Sequence, residues 1–389
     1  VVKILFIITC LLIGSGCITY VYYLIRFWYG YRHLNIPTTN DKKLVSVIIV
    51  ARNEAANLRE LLLCLHNQDY PQDLYEVILA DDDSEDATQA IAQQYIDAGM
   101  NLQYMHIKGR EKVISPKKHA LEQAIHVSRG EIILTTDADC ITPPTWIKSM
   151  VSHFTEGVSM VAGYSRTRLG DWSRESVLHK YEHLDFAFTY MVMAGGYTIG
   201  RSWACIGQNL AYTRKAFEDV GGFTQIRHLI SGDDVNLMAL MRRTGHKIIF
   251  NFQPASFVFT HPVKSWKHLL NQRSRWASNL KLQLKFNPEF FFILVSMAFL
   301  YWGDLIMLFF SLKLAIAIFA FRILIENLMI SYARKHFNVT ARMLCFYPIW
   351  LFIQTFFLVF TMILGQFNLF VWHGKRPPKG VFLNGNHHL

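Results

Sequence analysis

Two carboxylates separated by one small residue, Asp137 and Asp139, close the apolar stretch Ile132 to Cys140. Ile132, Ile133 and Leu134 followed by Thr135 and Thr136 read as a buried strand, and Pro143 and Pro144 follow it. A strand end is where an α/β sheet presents ligand-binding groups. A hard cation that holds a diphosphate needs only one or two protein carboxylates, so the pair reads as ligands for Mg²⁺ or Mn²⁺, against the plainer reading of a solvated acidic turn. A second acidic cluster, Asp81-Asp82-Asp83-Ser84-Glu85-Asp86, follows the short apolar strand Val77 to Ala80. A third, Ser231-Gly232-Asp233-Asp234, heads an amphipathic helix through Val235, Leu237, Met238, Leu240 and Met241. One aspartate suffices to cap a helix. Two in succession leave a carboxylate to act as general base on an acceptor hydroxyl.

Three further groups are candidates. Lys117 and Lys118 precede a helix, where a lysine either meets a phosphate or is a solvated helix-start charge; Lys118 and Glu54 are placed with the nucleotide-binding residues. Cys205-Ile206-Gly207-Gln208-Asn209 is either a turn or a close approach where Gln208 and Asn209 donate to sugar hydroxyls. Gln272-Arg273-Ser274-Arg275-Trp276 puts a planar cation suited to a diphosphate beside a flat ring suited to a sugar or lipid.

The elements that must position these residues alternate strand and helix. Strand 44–50 leads through Ala51-Arg52-Asn53-Glu54 into a helix marked by Leu58, Leu61, Leu62 and Leu65. Helix 87–97, strand 102–106 and helix 120–127 carry the chain to the central strand. Helix 146–154, strand 158–164, helix 176–193 and strand 246–250 follow, and 257–261 continues the apolar wall. This βαβ order predicts an α/β domain with a mostly parallel, Rossmann-like sheet, binding a nucleotide at its carboxyl edge. Neither a G-x-G-x-x-G nor a G-x-x-x-x-G-K-S/T loop is present, which disfavours dinucleotide oxidoreductases and P-loop enzymes.

With 52% hydrophobic and 14% aromatic residues in 389, the composition exceeds what a soluble domain carries. The net charge of +10 comes without a basic block or an aromatic-basic RNA motif, so anionic headgroups and a nucleotide diphosphate, not nucleic acid, are the expected partners. The six cysteines show no C-x-x-C pair or metal-finger spacing, which fits a reducing cytosolic face. Ile4 to Ile25 is an uncharged stretch long enough to cross a bilayer, and Arg26, Arg32, Lys42 and Lys43 after it place the next domain in the cytosol, at the inner membrane if the cell is bacterial. The expected order is a transmembrane helix at 1–28, a cytosolic catalytic domain at 44–262, one interfacial amphipathic helix within 263–287, a transmembrane region at 288–373 and a basic tail at 374–389. Apolar runs 290–310, 312–330 and 345–372 bring the spans to four. Four spans would put Lys375, Arg376 and Lys379 outside, against the positive-inside tendency, so three is the alternative. Within them Arg322 and Glu326, spaced i, i+4, are expected to pair.

Taken in order, these motifs resemble those of the inverting family-two glycosyltransferases with the GT-A fold, over about Val45 to Trp276. The element at 272–276 is similar to the Q-(Q/R)-x-R-W element of cellulose, chitin and hyaluronan synthases and of ceramide glucosyltransferases. The resemblance implies that Asp81 and Asp82 hold the nucleobase and ribose, that Asp137 and Asp139 bind metal and diphosphate, and that Asp234, with Asp233 beside it, is the base. It also implies that Arg275 meets the diphosphate, and that Trp276, with Gln272, Gln208 and Asn209, faces the acceptor. Asp83 stands where glycine is usual, Asp233 where glutamate is common, and Asn236 where a second aspartate is frequent. The implied activity is hexosyl transfer from a nucleotide sugar, a UDP-sugar, to a lipid hydroxyl at the cytosolic membrane face. A processive polysaccharide synthase and a polyprenyl-phosphate glycosyltransferase are the alternatives. A nucleotide-sugar receptor would have no use for Asp234, and a transporter would need paired broken membrane helices.

Overall fold

The computed structural model describes residues 2–109, 113–278 and 280–371, so the basic tail at 374–389 lies outside the described residues. After α1 (Val2–Arg32), the chain forms β1 (Val45–Ala51), α2 (Ala55–His66), β2 (Tyr75–Asp81), α3 (Thr88–Asp97), β3 (Leu102–His106), α4 (Pro116–Val127) and β4 (Ile132–Asp137). It continues through β5 (Cys140–Ile141), α5 (Trp146–Val151), β6 (Val158–Gly163), β7 (Ser165–Thr167) and α6 (Val177–Thr198). Next come β8 (Leu210–Thr213), α7 (Arg214–Asp219), α8 (Val235–Arg243), β9 (Lys247–Asn251) and β10 (Val258–Thr260). Helices α9 (Trp266–Ala277), α10 (Leu280–Phe286), α11 (Pro288–Met307), α12 (Leu312–Ala333), α13 (Ala341–Leu344) and α14 (Tyr347–Gln366) end the described chain. The described residues divide into two units: one holds those within 35–168 and 204–262, the other those within 2–34, 169–203 and 263–371. Residues 169–203, inside the stretch expected to form the catalytic domain, therefore group with the helical unit.

In the sheet unit seven strands run in the order β3-β2-β1-β4-β8-β6-β9. β1 pairs in parallel with β2 and β4, β2 with β3, and β6 with β9, as the βαβ pattern predicts. The exception is β8, antiparallel to both β4 and β6. Continuous apolar strands are what a sheet covered on both faces requires, and every residue of β2 is buried. The central acidic stretch is not one strand: β4 ends at Asp137, and Cys140–Ile141 joins a small second sheet, β5-β10-β7. Ala138 and Asp139 are thus the corner between two sheets.

In the helical unit α1 packs along α11 and α12. A buried polar node ties these helices together. Arg322 of α12 pairs with Asp304 of α11 and lies 3.7 Å from the Tyr301 ring centroid, with Glu326 at 4.0 Å. The Glu326 carboxylate accepts from Tyr20 of α1 at 2.8 Å and from Tyr347 of α14. The expected Arg322–Glu326 pair is the longer contact, and its members have nearer partners on other helices. The single helix expected within 263–287 is two, α9 and α10.

Candidate active site

The register of the parallel sheet gathers three of the predicted carboxylates. Ala51 of β1 pairs with Asp81 of β2, and Val50 pairs with Asp137 of β4, so both aspartates end strands flanking β1, opposite residues that stand three and four positions before Glu54. The loops beyond these strands lock together through local polar bonds. Asn53, at φ 55°, donates its N–H to Ser84 Oγ at 2.9 Å and accepts from the Glu85 N–H at 2.8 Å. Asp83 sits at φ 61°, which explains why glycine is usual there; aspartate is among the few other residues that tolerate this region. Asp81 is buried and accepts from the Ser84 N–H at 3.0 Å and the Tyr104 hydroxyl at 2.7 Å. Asp82 is buried beside it.

Lys117 is the centre of the site's electrostatics. Its Nζ lies 2.7 Å from Asp137 Oδ1 and 3.5 Å from Asp233 Oδ2, joining the strand-end pair to the α8 pair. Burial alone would lower its pKa, but Asp137 and Asp233 outweigh that and hold it above the ordinary lysine value, so it carries a charge. Lys118, one residue on, turns the other way. It is buried and donates to Leu229 O at 2.7 Å, Ser231 O at 3.0 Å and Ser115 Oγ at 3.3 Å. The nucleotide contact expected of Lys118 gives way to fastening the segment that leads into Asp233 onto α4.

Asp139 is pushed up to about 7, by burial first and then by the charges of Asp137 and Glu54. Glu54 is itself raised by burial, against its bond from Asn57 and with the charges of Asp137 and Asp86. This crowding of carboxylates is the repulsion that a divalent cation relieves, and an all-oxygen donor set suits Mg²⁺ or Mn²⁺. Among the described residues no three His, Cys, Asp or Glu side chains gather closely enough to hold an ion unaided. Asp137 and Asp139 would therefore supply part of a shell that phosphate oxygens and water complete.

Asp234 caps α8, accepting the Val235 N–H at 2.6 Å through Oδ1 and the Gly207 N–H at 2.9 Å through Oδ2. These bonds fix its rotamer. Burial, and then the charge of Asp233, still raise its pKa against both backbone donors and Lys117. A Cβ on Gly207 would lie 3.4 Å from Asp233 Oδ2 and 3.6 Å from Asp234 Oδ2, so the lack of a side chain keeps the space before both carboxylates open.

Gln208 and Asn209 part company. Asn209 is fully buried and donates to Tyr164 O at 2.9 Å and Ser256 O at 2.7 Å while accepting from Trp146 Nε1 at 2.9 Å. The acceptor contact expected of Asn209 is excluded by these three bonds: it is a bolt between β8, α5 and the strand ends. Gln208 Oε1 is buried and has no hydrogen-bond partner among the described residues. Asn236 is fully buried with neither amide atom bonded among those residues, and its side chain carries no negative charge to compete with Asp234.

Gln272, Arg275 and Trp276 lie on α9 of the helical unit. Arg273, between them, is committed within that unit: its Nε and Nη2 both lie 2.7 Å from Asp185 Oδ2, its Nη1 donates to Gln272 Oε1 at 2.6 Å, and its plane lies 4.2 Å from the Trp276 ring and 4.6 Å from that of Phe186. Asp185 and Lys117 are the residues that sequence reasoning missed or left undecided. Asp185 had no motif around it, whereas Lys117 was separated from Lys118 only by which side of α4 each faces.

Residues 46–221 match the model of glycosyl transferase family 2. A glycosyltransferase from Haloferax volcanii, AglE, is 29% identical over 238 residues, covering 61% of this chain and 73% of that protein. A beta-monoglucosyldiacylglycerol synthase from Trichormus variabilis is 26% identical over 250 residues, covering 63% of this chain and 51% of that protein. A solved mannosyltransferase from Pyrobaculum calidifontis, PcManGT in complex with GDP-Man and Mn²⁺, superposes with a TM-score of 0.60 at 19% identity, covering 92% of this chain and 97% of that one. The chain carries a family-two glycosyltransferase domain of GT-A fold. Among its relatives are enzymes that act on lipids.

Proposed function

We propose that this protein is a metal-dependent, inverting glycosyltransferase that moves one hexose from a nucleotide diphosphate sugar to the hydroxyl of a membrane lipid at the cytosolic face. The observation that carries the reading is the Lys117 bridge between Asp137 and Asp233, which joins the acidic corner at the end of β4 to the pair whose second member, Asp234, caps α8 and has a raised pKa. Asp81 and Asp82 hold the nucleoside, and Asp137 and Asp139 hold Mg²⁺ or Mn²⁺. When bound, the ion would offset charge on the departing nucleoside diphosphate. Asp234 takes the proton from the acceptor hydroxyl as it attacks the far face of the anomeric carbon, giving inversion in one displacement. Lys117 adds positive charge where the leaving diphosphate develops negative charge.

The lipid acceptor is supported by the helical unit and by the diacylglycerol-glucosylating relative. A lipid alcohol confined to the bilayer meets an interfacial site already concentrated and oriented. UDP-hexose is the expected donor, and the mannosyltransferase of the same fold puts GDP-sugars in the same screen. The test is product size: the purified full chain, given labelled nucleotide sugars, Mn²⁺ and a lipid extract, should yield an organic-extractable product with one sugar per lipid. A ladder of long, water-soluble chains would replace this reading with a polysaccharide synthase.

A further inference from the structure

Among the described residues four helices are long and apolar enough to cross a membrane, α14 among them, but α14 packs mainly against α9, more than against any of the other three. From its start to its middle it lies against α6: Trp350 meets Phe188 at 4.6 Å between ring centroids, Phe357 meets Tyr181 at 5.4 Å, and the Tyr181 hydroxyl donates to Gln354. Along its second half it runs beside α9. A Cβ on Gly365 would lie 2.5 Å from Ser274 O, so only glycine lets the two backbones come this close. Gln366 Nε2 donates to Ala277 O at 2.7 Å, and the Val371 N–H reaches back to Asn271 Oδ1 at 3.0 Å.

Helix α9 cannot lie in hydrocarbon. It carries Lys267, His268, Asn271, Gln272, Arg273 and Arg275 in one 12-residue helix, and charged groups at that density are not carried at the bilayer centre. A helix fastened alongside it shares its depth. The 20 residues of α14 supply only the ~30 Å that a crossing needs, so a helix spending its second half beside α9 has no length left to cross. Its surface is divided in the same sense. Ile349, Phe352, Phe356, Phe360, Ile363 and Phe367 form an exposed apolar stripe at helical spacing, while the opposite face, with Tyr347, Thr355, Thr361 and Gly365, is buried.

We infer that α14 lies in the plane of the membrane, its phenylalanine stripe seated in the acyl region, and that only α1, α11 and α12 cross. Lipid is the occupant of the stripe because α14 belongs to one unit with three helices that are themselves long enough to span. The charges agree: Arg334, Lys335 and Arg342 precede α14, and Lys375, Arg376 and Lys379 follow it. A crossing would separate these basic flanks, whereas an in-plane helix leaves both on the side where α1 ends, as the positive-inside tendency favours.

Single-cysteine accessibility in sealed vesicles tests this with the full chain, in a background lacking the accessible native cysteines. With a membrane-impermeant maleimide, Asn384→Cys should react from the same side as Asn40→Cys and from the opposite side to Phe309→Cys in the α11–α12 turn. Reaction of Asn384→Cys together with Phe309→Cys overturns the inference. Spin labels at Phe352→Cys, Phe360→Cys and Phe367→Cys supply a second reading. Equal shallow depths by lipid-borne relaxation agents support an in-plane helix. A graded series spanning the bilayer, or labels shielded from lipid by a second copy of the chain, refutes it.

Discussion

Arg273 of α9 and Asp185 of α6 meet through two guanidinium nitrogens converging on one carboxylate oxygen, each at 2.7 Å, in a setting where both side chains are nearly buried. The same guanidinium lies against the Trp276 ring, so the ion pair sets the angle at which that ring stands on α9. Breaking such a buried pair from one side costs on the order of 3–5 kcal/mol because the other charge is stranded. Asp185→Asn should therefore raise the acceptor KM and lower kcat while leaving the donor Kd within about threefold, and Asp185→Glu should restore part of the loss. Equal loss of donor affinity would mean that α9 is misplaced as a whole, not re-angled at Trp276.

Asp137 and Asp139 predict metal dependence. Chelation should abolish transfer, and Mg²⁺ or Mn²⁺ should restore it. Asp139→Asn, which removes the most strongly raised carboxylate of the corner, should weaken Mn²⁺ binding at least tenfold when read by electron paramagnetic resonance of the free ion. Full turnover in excess EDTA would contradict the assignment.

Removing the base should separate chemistry from binding. Asp234→Asn keeps an oxygen to cap α8 but cannot take a proton, so kcat should fall by about 10²–10⁴ with donor affinity nearly unchanged. A matching fall in donor affinity would make Asp234 a binding residue.

The raised pKa of Asp234 gives the pH dependence a sign. Burial and Asp233 favour its protonated form, so the fraction of active base falls as pH drops through a value above that of an ordinary aspartate, and the acid limb of kcat/KM should lie correspondingly high. Lys117 opposes that shift, so Lys117→Met should move the limb to higher pH, whereas Asp233→Asn should move it lower. An acid limb unmoved by both variants would rule out Asp234 as the titrating group.

Asn209 and Gln208 should fail in different ways. Asn209→Ala deletes three buried hydrogen bonds and should lower the stability of the sheet unit by roughly 1–3 kcal/mol, read as a drop in Tm. Gln208→Ala should leave Tm nearly unchanged and reduce transfer. The reverse pattern would exchange their roles.

The acidic corners were legible in the chain because strand-end carboxylates leave a local signature: an apolar run, then aspartates, then a turn or helix start. Strand β3 also lies where the sequence places it. Strand β8 was not legible, since Leu210–Thr213 is only four residues long and follows what reads as a glycine turn; its antiparallel partners, β4 and β6, are far away in sequence. The division of labour between Lys117 and Lys118 depends on helix rotation, which turns neighbouring side chains about 100° apart. The link from Asp185 to Arg273 spans 88 residues and has no sequence pattern at all. Composition makes α14 look like any other membrane span, and its packing along α9 sets it apart. What the sequence determined by itself were the groups with local chemistry. Which of them face one another, and which serve only to hold the others, was decided by tertiary packing, because burial and hydrogen bonding are settled by neighbours that the chain brings from far away.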